Sequence, residues 1–181
     1  MRATTLVVLV TAALLVSSRL VEAQVGDPCA LLTTAEMQQA FPGTKSGQLD
    51  RKLEKDGILR CEWVHNAGRV VLVAGDDSAD DSPEDEAKTF MSAFVDPLRP
   101  DAERRVRVET LPGVGDKAVA IVERQDTANG ITQNGAILVV RRGKRQVALL
   151  AVPPGDLARR ERADALKVLS DLGKAIAKRL S

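Results

Sequence analysis

The chain has 181 residues, with 26 Lys and Arg against 25 Asp and Glu, so its formal net charge is +1. That balance gives no global attraction for nucleic acid or for an anionic membrane. The aromatic residues are Phe41, Trp63, Phe90 and Phe94, with no Tyr, too few for a sugar or nucleobase site built on stacked rings.

The N-terminal stretch reads as an export signal. Met1-Arg2 is a short positive start, and Leu6 to Val16 is an apolar run interrupted by Thr11. Val21-Glu22-Ala23 then sets aliphatic and small residues at the positions a cleavage site requires, which defines a signal peptide over residues 1–23. A membrane anchor needs about 20 apolar residues, and Arg19 and Glu22 cut the run short. Gly26-Asp27-Pro28 is not the small-apolar tripeptide that precedes a lipidated cysteine. Residues 24–181 are therefore expected to form one secreted or periplasmic domain, monomeric and without stable membrane insertion after cleavage.

Two cysteines in an exported chain most simply form one bridge, Cys29–Cys61. The rival readings are a catalytic thiol, which wants a histidine base, and a zinc site, which wants three or four ligands. The single histidine, His65, supplies either one poorly.

Thr33-Thr34-Ala35-Glu36 is a capping box, and a helix over Ala35 to Phe41 is stopped by Pro42-Gly43. Residues 43–57 are rich in Gly, Lys, Asp and Glu and read as a loop. Ile58 to His65 alternates as a strand, with Cys61 and Trp63 on one face and His65 at its rim. Asn66-Ala67-Gly68 turns the chain into a second strand ending at Gly75.

Seven acids follow between Asp76 and Glu86. The EF-hand pattern wants glycine at the sixth position and glutamate at the twelfth, but counting from Asp76 these are Asp81 and Ala87. The simpler reading is a solvated loop feeding a helix over Pro83 to Val95, with Ser82 as N-cap and Glu84, Asp85 and Glu86 complementing the dipole. Ala87, Phe90, Met91 and Phe94 give that helix one apolar stripe.

Four strand patterns follow, over Arg105 to Thr110, Lys117 to Glu123, Ala136 to Arg142 and Arg145 to Val152. The last two are joined by Arg142-Gly143-Lys144, a hairpin turn that makes antiparallel neighbours. Between the first two, Gly113 to Ala118 matches G-x-G-x-x-A. A dinucleotide site would need a helix after it, and here a strand follows, so the motif reads as a glycine turn. Pro153-Pro154-Gly155-Asp156 ends the sheet and starts a terminal helix capped by Asp156. Its apolar face is Leu166, Leu169, Leu172, Gly173, Ile176 and Leu180, and the many Arg and Lys residues between Arg159 and Arg179 read as its solvent side.

Asp27-Pro28-Cys29-x-Leu31-Leu32-Thr33-x-x-Glu36, Cys61-x-Trp63 and Gly113-x-Gly115-Asp116-x-Ala118 resemble a family of secreted bacterial proteins and lipoproteins of unknown function. The resemblance spans most of residues 27–181. It implies an extracytoplasmic α+β domain carrying a Cys29–Cys61 bridge and brings no catalytic residue with it. The chain departs from many members in lacking a lipobox.

The expected fold is α+β: a curved antiparallel sheet of about six strands in the order αββαββββα, with helices two and three on one face. A PsbP-like architecture is the nearest analogy. The expected function is a non-catalytic extracytoplasmic binding or accessory protein of the bacterial cell envelope. Its partner would be an envelope protein or a small ligand, not nucleic acid, with no cofactor, catalytic residue or metal. Asp76, Asp77, Asp80 and Asp81 are the candidate partner contacts, together with the basic residues at 141–179 and the concave sheet face. The alternative is a secreted hydrolase with an unrecognised site. For that reading His65 is the sole base, and no G-x-S-x-G elbow is present.

Overall fold

The computed structural model describes residues 26–54, 57–66, 68–75, 82–92, 107–126, 132–152 and 161–180. The segment expected to be a signal peptide, the acids Asp76, Asp77, Asp80 and Asp81, the expected end of the second helix and Asp156 all lie outside these residues.

The class is α+β with an antiparallel sheet, as expected. A 3₁₀ turn at Pro28–Leu31 leads into helix α1, Thr34–Ala40. Strands β1 (Gln48–Asp50), β2 (Ile58–His65) and β3 (Gly68–Gly75) follow, then helix α2 (Pro83–Ser92). Strands β4 (Val108–Thr110), β5 (Lys117–Asp126), β6 (Thr132–Arg142) and β7 (Arg145–Val152) precede helix α3, Arg162–Arg179. The strand order is β1-β2-β3-β7-β6-β5-β4, and each of the six pairings is antiparallel.

The sheet has seven strands rather than about six, because β1 forms inside the stretch read as a loop. Three residues show too little alternation to be recognised, and pairing to β2 is what makes them a strand. The Asp50 carboxylate takes a 2.5 Å bond from the Arg60 guanidinium directly opposite.

Strand alternation splits the core in two. On one face Cys61, Trp63, Val70, Leu72, Ala118, Leu138 and Leu149 pack with Met37 and Phe41 of the α1 segment and with Leu169, Leu172 and Ile176 of α3. On the other, Val119, Ile121, Ile137, Val139 and Leu150 pack with Ala87 and Met91 of α2. The expectation that helices two and three share a face is therefore corrected: α2 lies on one side and α3 on the other. The reason is in the central strands. Ile137, Leu138, Val139 and Val140 are all buried, and a strand apolar on both sides needs cover on both. Each such side chain withdrawn from water contributes about 1.5–3 kcal/mol.

Local signals set the element ends. Thr33 and Glu36 make the reciprocal capping box, the Thr33 amide donating to Glu36 at 2.7 Å and the Glu36 amide to the Thr33 hydroxyl at 3.2 Å. Ser82 caps α2 through the Asp85 amide at 3.2 Å. Glu161 occupies the position before α3 and makes no side-chain cap bond.

Candidate functional site

Cys29 and Cys61 form a disulfide with Cα atoms 5.0 Å apart, within the normal range for a bridge. Cys61 projects from β2 into the larger core and Cys29 sits on the 3₁₀ turn, so the bond clamps the start of the fold onto the sheet. Gly47 passes directly over it, and a Cβ there would come within 2.7 Å of the Cys61 sulfur and of Trp63 Nε1.

His65 is not a rim residue. It is 8% exposed, and its ring lies 5.5 Å from that of Phe41. The end of β2 is covered by the turn after α1, where the Lys45 amide donates to the Val64 carbonyl at 3.0 Å. The imidazole is thus part of the packed interior at this end of the strand.

The glycine motif is a turn, as read. Gly113 and Gly115 have φ of +73° and +58°. A Cβ on Gly115 would collide with the Arg141 carbonyl oxygen, which already accepts the Asp116 amide at 2.9 Å. The Asp116 carboxylate accepts the Gly143 amide at 2.6 Å, so one loop pins the β6–β7 hairpin. Strand β5 follows, leaving no helix N-terminus for a pyrophosphate.

Beneath the start of α2 lies a polar cluster that the sequence reading missed. Lys117, Arg141 and Gln146 stand side by side on β5, β6 and β7, in phase with Val119, Val139 and Ala148. The Lys117 ammonium lies 2.7 Å from Glu84, and its bond holds the Glu84 carboxyl below the usual carboxylate range, against a smaller opposing effect of burial. Gln146, only 6% exposed, donates to Glu86 and accepts from the Arg141 guanidinium at 2.9 Å. Polar residues in phase with buried ones were the signal available. These groups satisfy one another and seat α2 on the sheet, so the cluster works as a docking contact.

Among the described residues, two surfaces stand out as places for a ligand. A groove of about 120 Å³ runs between α1 and α3, lined by Glu36, Gln39, Ala40, Val168, Asp171 and Leu172. Both of its acids are engaged. Arg179 grips Glu36 at 2.9 and 3.0 Å, and Lys167 and Lys174 lie 3.0 and 3.7 Å from Asp171. Burial works to raise the Glu36 pKa, but the bonds from Arg179 and Thr33 outweigh it and hold the carboxyl low.

The second surface is the side of β1, β2 and β3 that faces away from the larger core. It presents Arg60, Glu62, Val64, Arg69 and Val71, while Val73 on the same side packs against the α2 core. Arg60 pairs with Asp50, and Glu62 lies 3.3 Å from Arg69. Val64 is 48% exposed, the one large apolar residue so placed among the described residues.

No group of three or more potential metal ligands occurs among the described residues. No helix among them is long and apolar enough to cross a membrane. No protein-family model matches the chain, and neither a curated protein nor a solved structure matches it.

Proposed function

We propose that this is a non-catalytic binding or accessory protein of the bacterial cell envelope, exported by the signal at residues 1–23 and acting as a mature chain from Gln24. The observation that carries this is the β1–β3 surface. It sits on a sheet clamped by a disulfide, and it shows a partner matched ion pairs around an exposed Val64. A rigid backbone with a small apolar centre and a polar surround is the arrangement protein interfaces use. The bridge fits an oxidising compartment, and the Asp-Pro-Cys and Cys-x-Trp motifs support the same placement through the family resemblance. The acids Asp76, Asp77, Asp80 and Asp81 immediately follow β3 in sequence and extend the contact in this reading. The enclosure of His65 gives the hydrolase alternative no support.

The test is capture of envelope proteins at low and physiological salt, using wild type, Val64→Glu, and a variant with the four aspartates changed to Asn. We expect a partner whose retention weakens with salt and drops at least tenfold in Val64→Glu. Equal capture by all three proteins, or a turnover that His65→Ala abolishes, would overturn the reading.

A further inference from the structure

Strands β2 and β3 pair in a register that sets four outward side chains on a square. Val64 stands opposite Arg69, and Glu62 stands opposite Val71. The two valines therefore occupy one diagonal and the two opposite charges the other. Between these residues along the strands, Trp63 and Val70 turn the other way and are buried in the larger core. Cys61, on that same buried side of β2, is fixed by its disulfide. A slip of one residue would turn the charges inward and Trp63 outward, so the register and the square are firmly set. Val64 and Arg69 are exposed, and Glu62 and Val71 are half-buried. Glu62 and Arg69 lie 3.3 Å apart along their diagonal, and the neighbouring Arg60 is tied to Asp50, so the patch carries no net charge.

A square of this kind is its own complement. A half-turn about the valine diagonal lays the Val64 of one copy on that of another, and Val71 likewise. The same operation brings each Glu62 against the other copy's Arg69. No existing ion pair has to break, because the four charges close a ring in which the signs alternate. With strands about 4.8 Å apart and alternate residues about 6.8 Å apart along a strand, the diagonal lies at roughly 35° to the strands and the two sheets cross at roughly 70°. That crossing falls toward the orthogonal class of sheet packing. Reciprocal contacts of this form are what an isologous two-fold interface requires.

We propose that this square seats a second copy of the chain in a two-fold dimer. The proposal rests on the reading of the β1–β3 surface as an interface and names its occupant. A foreign protein would have to carry the same checkerboard with the signs exchanged, whereas a second copy carries it by symmetry. Four residues a side is well short of the roughly 20–30 of a standard interface. The dimer is accordingly weak and dissociates on dilution, in place of the expected monomer.

Sedimentation equilibrium of residues 24–181, with the bridge formed, tests it over about a hundredfold range of concentration. Wild type is expected to pass from monomer to dimer across that range. Glu62→Arg and Arg69→Glu each set like charges against one another across the interface, and each weakens self-association at least tenfold. Mixing these two variants recovers association, because every charged contact in the mixed pair again joins opposite signs. The exchanged variant Glu62→Arg/Arg69→Glu, which keeps the ion pair within the chain, associates as wild type does. Unchanged melting temperatures confirm that each variant is folded. A wild type that stays monomeric throughout, single variants that associate normally, or a mixture that stays monomeric overturns the proposal. A monomer that still captures an envelope protein through Val64 would assign the face to a foreign partner and leave the interface reading standing. A monomer with no Val64-dependent capture overturns both.

Discussion

Gly113 and Gly115 lie two residues apart in one turn, both at positive φ, but they answer to different forces. Nothing lies within 4 Å of a Cβ added at Gly113, whereas one at Gly115 strikes the Arg141 carbonyl oxygen. Gly113→Ala should therefore cost only the left-handed backbone penalty, about 1–2 kcal/mol. Gly115→Ala carries that penalty plus displacement of a carbonyl that accepts the Asp116 amide, and should cost about 3 kcal/mol or more. Urea unfolding of the two variants checks this. Equal losses would mean that β6 yields freely, contrary to the close approach. At this scale the sequence was legible wherever one residue type has one use: the Thr33–Glu36 box and the glycine turn were both readable. The docking cluster was not, because its members belong to four separate elements and only the sheet register lines up Lys117, Arg141 and Gln146. The burial of His65 was hidden for a similar reason, since its cover comes from Phe41, which is distant in sequence.

Among the elements, the disulfide has the clearest consequence. Its cysteines are separated by 32 residues, and closing a loop of that size stabilises by roughly 3–4 kcal/mol in the loop-entropy picture, less any native strain. Neither cysteine should react with an alkylating agent until the folded protein is reduced, since no free cysteine is present. Cys29→Ala should lower stability by about 2–4 kcal/mol, seen as an earlier denaturant midpoint. Free thiols in the folded protein, or a Cys29→Ala/Cys61→Ala variant as stable as wild type, would contradict this. Element types followed from periodicity, and the positions of β2, β3 and β7 agree closely with it, whereas β5 runs on to Asp126 and β6 begins at Thr132, beyond the expected Glu123 and Ala136. The placement of α2 did not follow. Its apolar stripe says that a face is buried, and says nothing about which side of the sheet receives it.

At the scale of the whole molecule, three carboxyls give the stability a common pH dependence. Glu36, Glu84 and Asp50 all have lowered pKa values in the fold. For Asp50 the Lys52 backbone N–H leads, with Arg60 also contributing. A lowered folded-state pKa means that the unfolded chain binds the proton first. Stability from these groups is thus fully present above the ordinary carboxylate range near pH ~4 and is lost as pH falls through the lower folded-state values. Thermal midpoints should be flat from neutrality to about pH 5 and then drop. Glu36→Gln/Glu84→Gln should lower the neutral plateau and flatten the acid limb. An acid limb unchanged in that variant would show that other groups set it.

The strand order also dictates how the chain can assemble. Strands β1 to β3 form one meander and β4 to β7 another, each built from neighbours in sequence. They meet at a single seam, β3 against β7, where Ala74 faces Val147 and Arg69 faces Val152. That seam joins residues roughly 75 apart along the chain, so it bears most of the loop-closure entropy, while the hairpins on either side require little. On loop-closure grounds the two meanders are expected to form first, with their docking at β3 and β7 the slower step. Before that step the strand edge of each is open to another chain, and a newly made molecule is most vulnerable to mispairing in that interval.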